Sequence, residues 1–205
     1  MTVESFVIDY NAPKTERIFD YGTADAYPQQ LYDYSGIASG VHGFANVAEA
    51  HLQQFHEQGC LVVHNAFSPS EVKDALDGLT YLISGQNPDF TGLMYERKAQ
   101  GVNVDALPPD ERQDYIRKFM WFVDHEPRLH ALAFHPQLQQ IVQRLMNDAP
   151  VLFQDMALIK PPRIGREKPW HQDHAYFDLP LTTTIVGVWI ALDEATTENG
   201  CMVVY

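Results

Sequence analysis

Apolar residues recur at spacings of three and four through the middle of the chain, then give way after Pro150 to short, continuous, β-branched runs. The first periodic stretch opens at Asn46-Val47-Ala48-Glu49, where Asn46 can cap a helix and Glu49 can bond back to it. Leu52 and Phe55 begin its apolar stripe, and Gly59 supplies a stop. Residues 60–63 (Cys-Leu-Val-Val) predict a strand. Ser68-Pro69-Ser70-Glu71 then repeats the capping pattern with proline at the first helical position, which predicts a helix over 69–83. Its residues Val72, Ala75, Leu76, Leu79, Leu82 and Ile83 form one face that should pack on a sheet. Between 84 and 114, Gly85, Pro88, Gly92, Gly101, Pro108 and Pro109 interrupt any regular pattern. That stretch reads as a long loop region, either a functional lid or an insertion of no catalytic consequence. Shorter helical patterns follow over 128–134 and 137–146, separated by His135-Pro136.

After Pro150 the runs at 151–160, 182–192 and 202–205 predict strands, the second of them rich in Thr, Ile and Val around Trp189. Helices first and strands later indicate an α+β domain, a barrel-like sheet fronted by helices. Residues 1–45 show no steady periodicity and read as an arm or irregular lobe, leaving 46–205 as the domain. A chain of 205 residues that is 45% hydrophobic can bury one ordinary core.

Charge narrows the function classes. With 14 basic against 27 acidic residues the net charge is −13, and no Lys/Arg run exists, so neither nucleic acid nor an anionic membrane is expected as a partner. No continuous apolar run approaches about 18 residues, and the opening MTVESFVIDYNAPK lacks a basic segment followed by an apolar one. The chain therefore reads as soluble and cytoplasmic. Cys60 and Cys201 lie in apolar runs, which suits reduced core residues better than a disulfide.

Candidate chemistry concentrates in the run Lys168-Pro169-Trp170-His171-Gln172-Asp173-His174-Ala175-Tyr176-Phe177. If extended, it projects His171 and Asp173 to one side and Gln172 to the other, so an imidazole and a carboxylate converge on one point. Such a pair suits ferrous iron when a second histidine arrives from elsewhere, and zinc can use similar ligands. A lone H-x-D triplet is more often an ordinary pair than a metal site. The remaining histidines show no persuasive ligand spacing, and Asp124-His125-Glu126 before Pro127 reads as a turn.

The surroundings of the triplet carry more. Ile159-Lys160-Pro161-Pro162, Trp170-His171-Gln172-Asp173, Tyr176-Phe177, Gly187-Val188-Trp189-Ile190-Ala191-Leu192 and Glu198-Asn199-Gly200-Cys201-Met202 occur in the order that resembles the phytanoyl-CoA dioxygenase family. Gln54-Phe55-His56-Glu57-Gln58-Gly59-Cys60-Leu61-Val62-Val63, followed by Phe67-Ser68, resembles that family's opening helix and strand, so the likeness runs from about residue 47 to 205. The resemblance implies a double-stranded β-helix (jelly-roll, cupin-like) core flanked by N-terminal helices. It implies an Fe(II)- and 2-oxoglutarate-dependent dioxygenase that uses O2, with ascorbate as an accessory reductant, to hydroxylate an unactivated carbon of a small-molecule substrate. Under it His171 and Asp173 are iron ligands, and the carboxylate favours hydroxylation over halogenation. Lys118, Met156 and Trp189 match positions around the cosubstrate, although a solvated lysine or plain core residues would fit the same positions; Gln154, two residues before Met156, can share its face and offer an amide to cosubstrate or substrate. His174 is either a tuning residue or an exposed one.

The family pattern continues past Tyr205 with a distal iron-binding histidine and an arginine for 2-oxoglutarate, so the chain is expected to be incomplete at its C-terminus. A divalent-metal hydrolase or isomerase, and a non-catalytic barrel acting as a binding or regulatory chain, are the rival readings. Substrate identity and oligomeric state are not legible.

Overall fold

The computed structural model describes residues 18–19, 30, 33, 36–163, 165, 168, 170–177 and 179–204. Most of the expected N-terminal arm lies outside them, as do Pro169 and Tyr205. Two short strands appear within the arm, β1 (Ile18–Phe19) and β2 (Gly40–His42). Helix α1 (Glu49–Gln58) ends at Gly59 with φ 78°, where glycine meets the left-handed turn without steric cost. Its start differs from the expected cap. Ala48 is the N-cap residue and its N–H donates to His51 Nδ1 at 2.9 Å, while the Asn46 amide donates to His42 O instead. An imidazole at the third helical position performs the return bond expected of Glu49.

Strand β3 (Val62–His64) pairs in parallel with β2, starting two residues later than the predicted run and ending one later, and α2 (Pro69–Ile83) has the predicted bounds. Glu71 N–H donates to Ser68 Oγ at 3.3 Å and Ser68 N–H to Glu71 Oε2 at 2.7 Å, so two end groups of the helix are satisfied reciprocally. The Ser68 bonds, more than any other influence, hold the Glu71 carboxyl below its ordinary range.

The stretch 84–114 is not a loose loop. It contains β4 (Leu93–Tyr95), α3 (Pro109–Arg112) and two 3-10 turns, and it buries Phe90, Met94, Tyr95, Ala99 and Val104. Glycine and proline punctuate it because its elements are short, not because it is unpacked. Gly92 shows how tightly. A Cβ there would lie 2.0 Å from Met120 O, and Gly92 O accepts Met120 N–H at 3.1 Å. Gly92→Ala is expected to destabilise by about 1–3 kcal/mol through forced backbone movement, read as a lowered urea midpoint with an unchanged slope.

Strand β5 (Ile116–Met120) runs through the centre of a four-stranded sheet of order β1-β4-β5-β6, where β6 is Met156–Leu158. Strands β1 and β4 are parallel, and the other two pairings are antiparallel. The β4–β5 register steps from Met94↔Lys118 to Tyr95↔Ile116, so Arg117 is the extra residue of a bulge. The bulge lets Ile116 and Phe119, three residues apart, both face the core with Leu93, Tyr95 and Ala157. Lys118 is left on the opposite face with Met94, Met120, Met156 and Leu158.

Helix α2 packs Ala75, Leu82 and Ile83 into the same cluster as Ile116 and Phe119, so its apolar face does lie on the sheet. Helix α4 (Pro127–Ala133) crosses beside α2 and adds Leu129 to that cluster. Helix α5 (Pro136–Met146) forms a second cluster, with Leu138, Ile141, Val142 and Leu145 against Phe44, Val47 and Leu52.

Asp124 and His125 lie in a turn, as read, and Glu126 after them caps α4. Its buried carboxylate accepts Arg128 Nε–H at 2.6 Å, Arg128 Nη2–H at 3.1 Å and the Arg128 backbone N–H at 3.1 Å. The guanidinium bonds hold the Glu126 carboxyl below its ordinary value of 4.5, against a burial that pushes it up. A carboxylate with a depressed folded pKa stabilises fully above its unfolded value, and that contribution is lost as pH falls through the folded one. Glu126→Gln is therefore expected to cost about 1.5–3 kcal/mol at neutral pH and to flatten the dependence of stability on pH below 4.5, measured by urea titrations across that range.

The strand predictions after Pro150 are met only in part. Of residues 151–160, only 156–158 join a ladder, and the described parts of 182–192 and 202–205 join none. β-branched composition favours an extended chain but supplies no partner for it. Val186 and Ile190 instead seat on the α5 cluster and Leu192 on the sheet cluster. The fold is α+β, and no closed barrel is formed among the described residues.

Candidate active site

His171 and Asp173 meet because Gln172 between them is extended, with φ −108° and ψ 129°. His171 Nε2 lies 3.1 Å from Asp173 Oδ1. Extension stops there, contrary to the expectation for the whole run, because Asp173–Tyr176 forms a 3-10 turn. The turn brings the Tyr176 ring edge-on to His171, 5.4 Å between centroids, with Lys168 Nζ 5.5 Å from the Tyr176 ring centre. It also faces Phe177 against Phe153 at 4.9 Å, which ties this loop to the residues entering β6.

The segment carrying Gly187 passes directly beside the carboxylate, since a Cβ on Gly187 would lie 3.8 Å from Asp173 Oδ2. Val186 and Ile190 point into the α5 cluster. Trp189, two residues beyond Gly187, is about half exposed. The turn after this segment is pinned from β6. Lys160 Nζ donates to Gly200 O at 2.5 Å, and Asn199 ties the turn by accepting Thr196 N–H and donating to Glu194 O. Gly200 has φ 89°, so its backbone conformation favours glycine, while the Lys160 ammonium that a Cβ would meet is the free end of a flexible side chain.

Lys118 and Met156 share one sheet face, Lys118 opposite Leu158 and Met120 opposite Met156. Lys118 is half-buried and Met156 exposed. Gln154 is half-buried just ahead of that strand. The structure thus brings the sequence-derived residues together in two groups, His171 and Asp173 with Gly187 beside them, and Lys118 with Met156. The Phe153–Phe177 contact links the segment before β6 to the end of the His171–Asp173 loop. His174 Nε2 is buried with no hydrogen-bond partner among the described residues, so His174 is not a simple surface residue.

The pair has the chemistry of a divalent metal site with nitrogen and oxygen donors. Two neighbouring ligands of an octahedral ion with bonds of about 2.1 Å stand about 3 Å apart, which fits the observed separation. Among the described residues no group of three or more His, Cys, Asp or Glu side chains is placed to hold a metal ion.

Asp155 was not singled out by sequence. It anchors the turn after β5 by accepting two backbone N–H groups, and an acidic residue within an otherwise apolar strand-like run was its one available signal.

Residues 55–205 match the family model described as Phytanoyl-CoA dioxygenase (PhyH). The chain belongs to the phytanoyl-CoA dioxygenase family. It is 23% identical over 177 residues to Phytanoyl-CoA dioxygenase domain-containing protein 1 homolog of Caenorhabditis elegans, a match taking in 73% of this chain and 61% of that protein. A shorter match, 36% identical over 78 residues, relates 38% of the chain to 27% of Phytanoyl-CoA dioxygenase domain-containing protein 1 of Danio rerio. The mouse protein named Phytanoyl-CoA dioxygenase, peroxisomal, is 24% identical over 163 residues, 78% of this chain and 47% of that one. The chain thus spans about three fifths of the length of the worm relative. Family membership gives the chain a dioxygenase-like ancestry. Among the described residues no helix is long and apolar enough to cross a membrane.

Proposed function

We propose that this chain is the part of an Fe(II)/2-oxoglutarate-dependent dioxygenase that carries two iron ligands and one wall of the cosubstrate site. The observation that supports this best is the His171 Nε2 to Asp173 Oδ1 distance of 3.1 Å inside the family-matched span. Iron(II) held there supplies the activation of O2 that couples decarboxylation of 2-oxoglutarate to succinate with conversion of a substrate C–H bond to C–OH.

The chain's own residues bind and orient. His171 and Asp173 would hold the iron as one neutral and one anionic donor. Lys118 presents a cation from the sheet face to a 2-oxoglutarate carboxylate, and Met156 and Trp189 give that molecule apolar walls. Gln154 offers an amide nearby. The second histidine and the carboxylate-binding arginine come from family length outside these residues, and with it the segments at 182–192 and 202–204 complete a double-stranded β-helix. Phe153, Tyr176 and Trp189 are all exposed, which suits a small organic substrate with an apolar portion. The free, half-buried Cys60 and Cys201 fit a reducing, cytoplasmic setting.

The test is succinate formation from 2-oxoglutarate by the intact protein with Fe(II), O2 and ascorbate. Iron- and oxygen-dependent succinate is the expected result. Tight iron binding with no succinate formed, accompanied by hydrolysis or isomerisation of a substrate, would overturn the oxygenase reading.

A further inference from the structure

Asp155 stands between Gln154 and Met156, two residues read above as site lining, yet its carboxylate serves the neighbouring strand. Oδ1 accepts Trp121 N–H and Oδ2 accepts Val123 N–H at 2.9 Å. The β5–β6 ladder ends at Met120↔Met156, so Trp121 N–H is the next donor out, and a side chain takes over where the backbone ladder stops. Trp121 has φ 59°, a left-handed conformation that a large L side chain adopts only when its surroundings hold it there. Both oxygens of one carboxylate gripping the N–H groups of residues 121 and 123 provide that hold.

Register is what this grip controls. The bulge fixes Lys118 on its face of β5, and whether Met156 joins it there depends on the β5–β6 alignment, since a slip of one residue in β6 would exchange Met156 and Leu158 with Ala157, which packs on the core. Strand β6 is only three residues long, so its few ladder bonds specify that alignment weakly. We propose that Asp155 is a positioning residue that locks the β5–β6 register and so keeps Lys118 and Met156 on one face. Its consequence for the cosubstrate rests on the reading that those two side chains contact 2-oxoglutarate. Asp155 touches neither reacting atoms nor iron in this assignment; it acts through the placing of Met156 beside Lys118.

The intact protein, Asp155→Ala, Asp155→Asn, Met156→Ala and the double variant Asp155→Ala/Met156→Ala are compared by amide hydrogen exchange and by equilibrium binding of Fe(II) and 2-oxoglutarate. In Asp155→Ala the Trp121 and Val123 amides are expected to exchange at least about tenfold faster, while in Asp155→Asn one stays protected because the amide keeps one oxygen. The Kd for 2-oxoglutarate rises about tenfold in Asp155→Ala with the Kd for Fe(II) unchanged, and the double variant binds 2-oxoglutarate no more weakly than Met156→Ala. Unchanged 2-oxoglutarate affinity in a variant whose two amides have opened overturns the proposal, as does full additivity in the double variant. Should Asp155→Ala fail to fold, Asp155→Asn carries the same comparison. If the unaltered protein binds no 2-oxoglutarate, the oxygenase reading falls, and the register claim is judged alone by cross-strand nuclear Overhauser contacts between Met120 and Met156. Their loss on substitution supports it and their survival overturns it.

Discussion

Asp173→Ala in the intact protein is expected to reduce 2-oxoglutarate-dependent succinate formation by at least about 100-fold, because loss of a direct ligand should exceed the 10–100-fold typical of outer-shell losses. Iron affinity should fall with it. The informative part is that stability should not. The Asp173 side chain is 68% exposed, and its contact with His171 resembles a surface pair worth at most about 1 kcal/mol. A residue whose removal silences turnover while leaving the urea midpoint in place was held for chemistry. Equal losses of turnover and stability would instead mark Asp173 as an ordinary member of its 3-10 turn. Asp173→Asn separates charge from shape, since it keeps one oxygen donor but removes the negative charge that a ferrous ion prefers.

How far the sequence showed this arrangement depended on whether each signal was local. The capping box at Ser68 and Glu71, the left-handed stop at Gly59 and the apolar face of α2 are written within a few residues, and each appeared as read. Meeting of His171 and Asp173 needed only one extended residue between them, and Gln172 provided it. Strand β5 was missed because its bulge breaks the period-two pattern. Ile116 and Phe119 share a face at a spacing of three, with two cations between them, and no alternation survives to be recognised. The strand predicted over 182–192 erred the other way. Its β-branched residues are real, but the core receives Val186, Ile190 and Leu192 through packing, and a ladder needs a partner that composition cannot report. Asp155 escaped notice for a related reason, since the groups it binds lie 34 and 32 residues earlier in the chain.

Arg117→Met is expected to destabilise the fold by about 3–5 kcal/mol, a large share of the roughly 5–15 kcal/mol that holds a domain together. Arg117 is the bulged residue of β5, and its guanidinium Nη1 lies 3.7 Å from Glu96 Oε1, with both side chains almost wholly buried at 6% and 5% exposure. The Nη1–Oε1 separation is that of an ion pair rather than of a strong hydrogen bond between those two atoms, and in a buried setting the attraction between the charges still counts. What the substitution does is remove the Arg117 charge from beside the buried Glu96 carboxylate, so the desolvation cost that this attraction offset is no longer compensated by it. The double variant Glu96→Leu/Arg117→Met removes both charges and should recover most of it, because apolar groups of similar volume commonly match or exceed a buried ion pair. Denaturant titration of the single and double variants separates the cases. A single variant within about 1 kcal/mol of the unaltered protein would show the pair to be solvated, whereas a double variant as unstable as the single would show that Arg117 acts through packing at the bulge. The second outcome would bear on the site, because the bulge that Arg117 occupies is also what turns Lys118 away from the core.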